Sequence, residues 1–559
     1  MTSGTFDIDG LGNRDLVFLP LGGAGEIGMN LNLYGHAGKW LMVDCGITFG
    51  DDSTPGVEVI MPDPAFIVER KRDLAGLVLT HAHEDHLGAV HWLWPQLECP
   101  IYATPFTAAV LRRKLVEAGL ERAAKITEVP MSGTFDVGPF GIELITLTHS
   151  IPEPNAVVIR TKAGTVLHTG DWKLDPDPLV GASTDEKALM RAGEEGVLAM
   201  VCDSTNVLVP GTSGSEADVR ENLIELVGRL DKRVAVAAFA SNVARLETIC
   251  RAAEAHGRRV ALVGRSMKRI VEAARETGYL TDVAPFVPDS DIGYLPRDEV
   301  LLICTGSQGE PRSALSRIAD NDHPEVTLEA GDTVIFSSRE IPGNERGIGR
   351  LQNKLASLGV DIVTARDEDV HVSGHPARDE LIQMYQWIRP KIAVPVHGEA
   401  RHLIAHAELA RECQVPEPVG ARNGYAVRLA PGRATVVDEA PHGRIAVDGT
   451  RLIPMESAAL RDRRRLAWNG SAVVTVVVDG DGRVKGLPQV AVNGVFDRDV
   501  EPEIAHEVED AVTVAVEDLP KPRCKNDDEV REAARLAVRR SIRALCGKRP
   551  RIDVHLVRV

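Results

Sequence analysis

The stretch LVLTHAHEDHLGAVHW, Leu77 to Trp92, constrains this chain more than any other. Its apolar start reads as a buried strand. Four histidines then fall within eleven positions of a chain that has 17 in all. His81, His83, Asp85 and His86 stand at the spacing HxHxDH. Neutral imidazoles and carboxylates suit zinc, and a catalytic site leaves room for water. An extended turn lets His81 and His83 converge, while the start of a helix turns Asp85 and His86 another way. One short segment can therefore serve two adjacent ions. A solvated polar turn is the plain alternative, and the crowding of ligand types speaks against it. Glu84 reads as a helix-start acid or a support for the ligands. His91, more than a helical turn further on, reads as a helix-surface residue.

Such a segment cannot complete two coordination shells alone. Further ligands are expected at strand ends: His149 in LTHSIPEPNA, Asp171 in LHTGDWKLD and His397 in VPVHGEARH. The expected arrangement puts His81, His83 and His149 on one ion and Asp85, His86 and His397 on the other, with Asp171 between them. Two cations about 3.5–4 Å apart can clamp the oxygens of an in-line phosphoryl displacement and make water nucleophilic near neutral pH. His168 reads as structural or as a support for the site, and His402 as solvent-facing.

GGAGEIGMN carries Gly23, Gly25 and Gly28 at the spacing GxGxxG. A dinucleotide site needs a long helix next and an acid after the following strand. The residues after Gly28 are instead strand-like and turn-broken, so these glycines are expected to form tight turns near the metal site, with Asn30 helping to order them.

The chain of 559 residues is too long for one core. Short strands and glycine turns occupy 1–210, and a βαβ alternation fills 211–360. Histidine-bearing turns return over 361–447, and a linker with a small α+β domain is expected over 448–559. The simplest account is one metal domain with an α/β domain inserted into it. In the last region AVVTVVVDGDGRVKG reads as a hairpin with an Asp-Gly turn. No apolar run is long enough to span a membrane, and no secretory signal is legible in MTSGTFDIDGLGNRD. Eight cysteines lie scattered without a CxxC pair, which favours a reducing cytoplasm. The net charge of −17 argues mildly against a polyanionic partner. Local potential decides such binding, however, and bound metals add positive charge that the formal count omits.

HxHxDH with His149, Asp171 and His397 resembles the metallo-β-lactamase superfamily, whose fold is an αββα sandwich with two metals at its edge. CDSTN (Asp203), HVSGH (His371 to His375) and PVHGE (His397) resemble the motifs of the β-CASP branch, which acts on nucleic acids. Together with PLGGAGEIGMN, TGDWKLD, FASNVARL, TGSQGEP and SSREIPGNE, these motifs are similar to the ribonuclease J family from about Val17 to Val427. The family's HGHEDH has alanine at its second position here, Ala82, which most turns accept.

The resemblance implies an α/β fold: the sandwich, an inserted β-CASP α/β domain and a small C-terminal α+β domain. It implies hydrolysis of RNA phosphodiester bonds, as a 5′→3′ exonuclease preferring 5′-monophosphate ends and as an endonuclease. Ribosomal RNA maturation and messenger RNA decay are the implied pathways. Asp85 and Asp171 would serve the reaction as metal ligands, and His375 would stabilise or protonate the leaving 3′ oxygen, oriented by Asp203. His371, Val372, Ser373, Gly374 and His375 would hold phosphate. Ser241, Asn242, Ser307 and Gln308 would line a 5′-monophosphate pocket. Two zinc ions are the implied cofactors, with manganese or magnesium as alternatives. Single-stranded RNA, a second or further copies of the chain, and components of an RNA-decay machinery are the implied partners. RDRRRLAW (Arg461 to Trp468) would border an RNA channel or form a charged linker. Competing readings are a DNA nuclease, a small-ester hydrolase, and a non-catalytic RNA-binding subunit.

Overall fold

The computed structural model describes residues 8–51, 53–341 and 343–559. The first seven residues of the segment read for a secretory signal lie outside the described residues, as does Pro342 in SSREIPGNE.

Two large sheets form the metal domain. The first has the strand order Thr435–Glu439, Tyr425–Ala430, Leu16–Gly22, Leu31–His36, Lys39–Val43, Leu74–Val78, Ile101–Ala103, Ile126–Glu128. The second runs Thr134–Val137, Phe140–Thr146, Asn155–Thr161, Gly164–His168, Ala199–Asp203, Ile392–Val396, Glu417–Pro418. Successive side chains on a strand point to opposite faces, and Asn155–Thr161 shows what that does here. Val157 and Ile159 join a core between the two sheets, where Phe18, Tyr34 and Leu41 of the first sheet also lie. Ala156 and Val158 point outward and pack with the helices Glu186–Glu195, Arg378–Ile388 and Ala400–Glu412. Strands apolar on both faces are thus covered on both.

The inserted domain is a parallel sheet of five strands, in the order Arg259–Val263, Val300–Cys304, Val234–Ala237, Thr333–Phe336, Asp361–Val363. Its first helix, Glu216–Gly228, starts at Ser215, whose hydroxyl accepts the Ala217 N–H. The domain boundary expected at 360/361 needs correction. Asp361–Val363 pairs with Thr333–Phe336 and completes the inserted sheet. A three-residue strand that begins with an exposed acid has little periodicity to reveal which sheet it joins.

The chain divides into two compact units. One comprises 1–48 and 60–444, the other 49–59 and 445–559. The second therefore begins before residue 448 and takes a segment from the region assigned by sequence to the metal domain. Its main sheet orders Gln489–Asn493, Ser471–Val478, Arg551–Arg558, the last two parallel. Ala472, Val474, Val476 and Val478 pack on Val508, Val512 and Val516 of Pro502–Glu517 and on Val530, Ala534 and Val538 of Asp527–Cys546. The hairpin expected over residues 472–486 shrinks to a single bridge, Val478 to Val484. Gln489–Asn493 takes the antiparallel pairing instead. Among the described residues, no helix is long and apolar enough to cross a membrane.

Candidate metal centre

Strand Leu74–Val78 ends just before Thr80 and His81, and His83 caps the short helix Glu84–Leu87 in an extended conformation. His81 and His83 therefore precede the helix, and Asp85 and His86 sit in its turn. Gly46 packs so closely under this turn that a Cβ there would lie 1.7 Å from the Asp85 carbonyl oxygen. Ala82 is buried without a left-handed φ, so alanine fits its position. Gly164–His168, Ala199–Asp203 and Ile392–Val396 are neighbouring parallel strands. Parallel strands end at one edge of the sheet. Asp171, Asp203 and His397, at or just after those ends, consequently meet.

His81, His83, His149 and Asp171 form one group of converging ligand atoms, and Asp85, His86, Asp171 and His397 another. Asp171 belongs to both. His81 Nε2 and His149 Nε2 each lie 3.0 Å from His83 Nδ1. His86 Nε2 is 3.1 Å from Asp171 Oδ2, and His397 Nε2 is 3.1 Å from Asp85 Oδ2.

The outer nitrogens fix the ring orientations. His149 Nδ1 donates to the Gly374 carbonyl. The Thr80 hydroxyl donates to Asp44 and accepts from His81 Nδ1 at 3.0 Å. His86 Nδ1 donates to Asp44 Oδ2 at 2.7 Å. Each of these histidines thus turns Nε2 inward, and a partner on the far nitrogen is how proteins commonly fix a metal-binding imidazole.

Burial holds the His83 ring down to about 4, and holds His81 and His149 well below the ordinary value. Three neutral imidazoles pointing at one another need something positive between their lone pairs. Asp171 and Asp203 are buried and Asp85 is half-buried, yet neighbouring histidines, among them His86, His397 and His375, hold all three below the usual carboxylate range. Burial opposes charge on His86 and His397, but the carboxylates raise both rings. Asp171 Oδ1 is buried without a hydrogen-bond partner. This donor set fits divalent cations.

A third group adjoins the first two. His375 Nδ1 lies 2.8 Å from Asp203 Oδ2 and 3.8 Å from Asp171 Oδ2. The other Asp203 oxygen accepts from the Thr205 backbone N–H at 2.8 Å and hydroxyl at 2.7 Å. Gly374 packs against the His149 ring, where a Cβ would lie 2.7 Å from ring atoms. Ser373 Oγ accepts from Asn206, and His371 Nδ1 is buried without a partner. Val372 lies against Gly214.

Other expectations fare differently. The Asn242 amide caps Val243–Ala255 and reaches Glu216, so it is occupied within the fold. Gln308 braces Ser338, Arg339, Ile341 and Asn344. Ser307 is buried, and Ser241 is half-buried. His402 is buried rather than solvent-facing: it is the third residue of its helix, and Nδ1 accepts the Glu399 N–H. His91 is half-buried with an unpartnered Nδ1, not a surface residue, and burial pushes it to about 4. His168 supports the interior, its Nδ1 2.9 Å from the Tyr34 hydroxyl. Glu84 is a first-turn acid paired with Lys114. Gly23, Gly25 and Gly28 all take left-handed φ ahead of the strand Leu31–His36, which excludes a dinucleotide helix. Asn30 Nδ2 does brace this region, donating to the Asp85 carbonyl at 3.1 Å. Sequence reasoning missed Asp44, which stands with a left-handed φ after the apolar strand Lys39–Val43. An acid at the end of an apolar strand was the available signal.

Four family models match the chain: metallo-beta-lactamase superfamily over 28–231, ribonuclease J beta-CASP domain over 231–355, Zn-dependent metallo-hydrolase RNA specificity domain over 360–417, and ribonuclease J C-terminal domain over 458–559. A ribonuclease J of Sinorhizobium meliloti is 48% identical over 98% of both chains. A ribonuclease J of Corynebacterium glutamicum is 43% identical over 85% of this chain and 66% of its own. A crystal structure of a protein of unknown function from Enterococcus faecalis V583 superposes with a TM-score of 0.50 over 74% of this chain and 100% of its own, at 15% identity. That last likeness is one of fold.

Proposed function

The chain belongs to the ribonuclease J family, and on that premise we propose that it degrades RNA from the 5′ end, prefers a 5′-monophosphate, and also cuts internally. It is a metal-dependent ribonuclease with RNA as substrate. The observation that carries the finer reading is the meeting of seven metal-type ligands beside a histidine held on a carboxylate.

His81, His83 and His149 would hold one cation and Asp85, His86 and His397 the other, with Asp171 shared. Bound there, a cation pair supplies Lewis acidity and a water made nucleophilic near neutral pH. The side chains do the rest. Asp203, fixed by Thr205, holds His375 through Nδ1 and leaves Nε2 to give a proton to the departing 3′ oxygen. Ser373 and the amides around Gly374 would orient the phosphate. Ser241 and Ser307 would contribute to a terminal-phosphate pocket, while Asn242 and Gln308 shape it from behind. Zinc is our choice of metal, since histidine outnumbers carboxylate among the ligands, and manganese or magnesium are the alternatives. A cytoplasmic setting is supported by eight cysteines, all free thiols. Roles in ribosomal RNA maturation and messenger RNA decay, and assembly into dimers or tetramers, complete the reading.

The test is a 5′-labelled RNA, as monophosphate and as triphosphate, incubated with and without chelator. We expect release of labelled nucleotide, faster from the monophosphate and abolished by chelation. Equal rates on the two ends would count against a monophosphate preference. Intact RNA with every plausible divalent ion would end the proposal.

A further inference from the structure

Arg339 lies in the loop that follows Thr333–Phe336 of the inserted domain, exposed, with no carboxylate paired to it among the described residues. The loop is braced from beneath: Gln308 Nε2 donates to the Arg339 carbonyl at 2.8 Å, and Gln308 Oε1 accepts the Ile341 N–H at 2.9 Å. The guanidinium gives one bond inward, from Nη1 to Asn206 Oδ1 at 3.1 Å. That bond sets the orientation of the Asn206 amide, whose Nδ2 donates to Ser373 Oγ at 2.7 Å and to the His375 carbonyl at 3.1 Å.

Ser373 Oγ also accepts the His375 backbone N–H at 3.2 Å. A hydroxyl has one proton and two lone pairs. Both lone pairs being engaged, Ser373 has only its proton to offer, to an acceptor outside the network. Arg339 likewise retains most of its donor fork. A donor hydroxyl and an unpaired planar cation, joined by one asparagine, suit an anion with several oxygens.

We propose that Arg339 binds a backbone phosphate of the RNA beside Ser373, with Asn206 as the positioning residue between them; this rests on the ribonuclease reading above. The phosphate is a diester rather than the chain terminus. Ser373 shares its loop with His375, the group assigned to the cleaved linkage.

The test is steady-state cleavage of 5′-monophosphate and 5′-hydroxyl RNA of one sequence, at several salt concentrations, by wild type, Arg339→Lys and Arg339→Gln. Arg339→Gln should raise KM about tenfold on both substrates, the worth of one charge-assisted hydrogen bond. It should hold kcat within about twofold and flatten the salt dependence by about 0.7 in log–log slope, one phosphate contact on a single strand. Arg339→Lys should restore the slope and part of the KM. Unchanged KM and slope in Arg339→Gln, beside an active wild type, would overturn the assignment. So would equal losses in both variants with a lowered Tm, or an effect confined to 5′-monophosphate RNA. A wild type that cleaves neither RNA removes the ribonuclease reading and this inference with it.

Discussion

Asp44 Oδ2 accepts a 2.7 Å hydrogen bond from Nδ1 of His86, on the side of the ring away from Asp171. The same carboxylate accepts from the Thr80 N–H and hydroxyl, each at 2.8 Å. One buried acid therefore sets His86 directly and His81 through Thr80. Asp44→Ala should weaken metal binding by about 10–100-fold, with cleavage recovered at raised metal concentration. Metal titration against a chelating dye checks this, and unaltered affinity would show that His86 is held by packing alone.

His83→Ala and Asp85→Ala each remove a proposed ligand without opening the core, since Asp85 is half-buried in the helix turn and His83 stands at its cap. Cleavage should fall below detection while the circular dichroism spectrum and most of the melting temperature persist. Turnover close to wild type would refute the metal assignment.

His375→Ala should slow cleavage by roughly 10²–10⁴ at saturating RNA, the usual worth of a general acid. Asp203→Asn should slow it less, because the ring remains but loses its anionic partner at 2.8 Å. Single-turnover rates separate these losses from binding, and an unaltered His375→Ala rate would take the residue out of the chemistry.

Arg245 and Glu216 make a buried ion pair at 3.0 Å. Arg245 also donates to the carbonyls of Ser337 and Val370, next to the HVSGH loop. Arg245→Met leaves Glu216 as an unpaired buried charge and should cost about 3–5 kcal/mol of stability. Pairing it with Glu216→Gln should recover part of that loss. Urea unfolding measures both, and a single variant as stable as wild type would contradict the burial.

Gly46 leaves no room for a side chain, because a Cβ would lie 2.6 Å from the His86 nitrogen and nearer still to the Asp85 carbonyl. The obstacle is the backbone of one peptide, Asp85–His86, which has no flexible side chain to give way. Gly46→Ala should push the Asp85–His86 turn out of place and lower metal affinity and stability together. Wild-type metal affinity in a folded Gly46→Ala protein would show the turn to be adaptable.

The site was legible where its residues announce themselves in a short span. His81, His83, Asp85 and His86 stand together, and His149, Asp171 and His397 each come after an apolar run that reads as a strand. Asp44 also comes after such a run, but a lone acid near a glycine-rich turn has other uses, and its partners are 36 and 42 residues away. Asn206 was hidden in the same way, since its bond to Ser373 spans 167 residues. His402 and His91 went wrong for another reason. Their helices are amphipathic, and a polar ring on such a helix looks exposed until the neighbouring segment that covers it is known. Asp361–Val363 is too short to show from pattern alone which sheet it joins. Local spacing speaks for local geometry, and the long contacts come only with the fold.

Ile392–Val396 lies beside Ala199–Asp203, although 192 residues of chain part Thr205 from His397. A ribosome at work on this message has therefore released most of the polypeptide before the final imidazole emerges. On the proposed ligand set, a chain that ends before His397 lacks one of the seven side chains that would hold the cations.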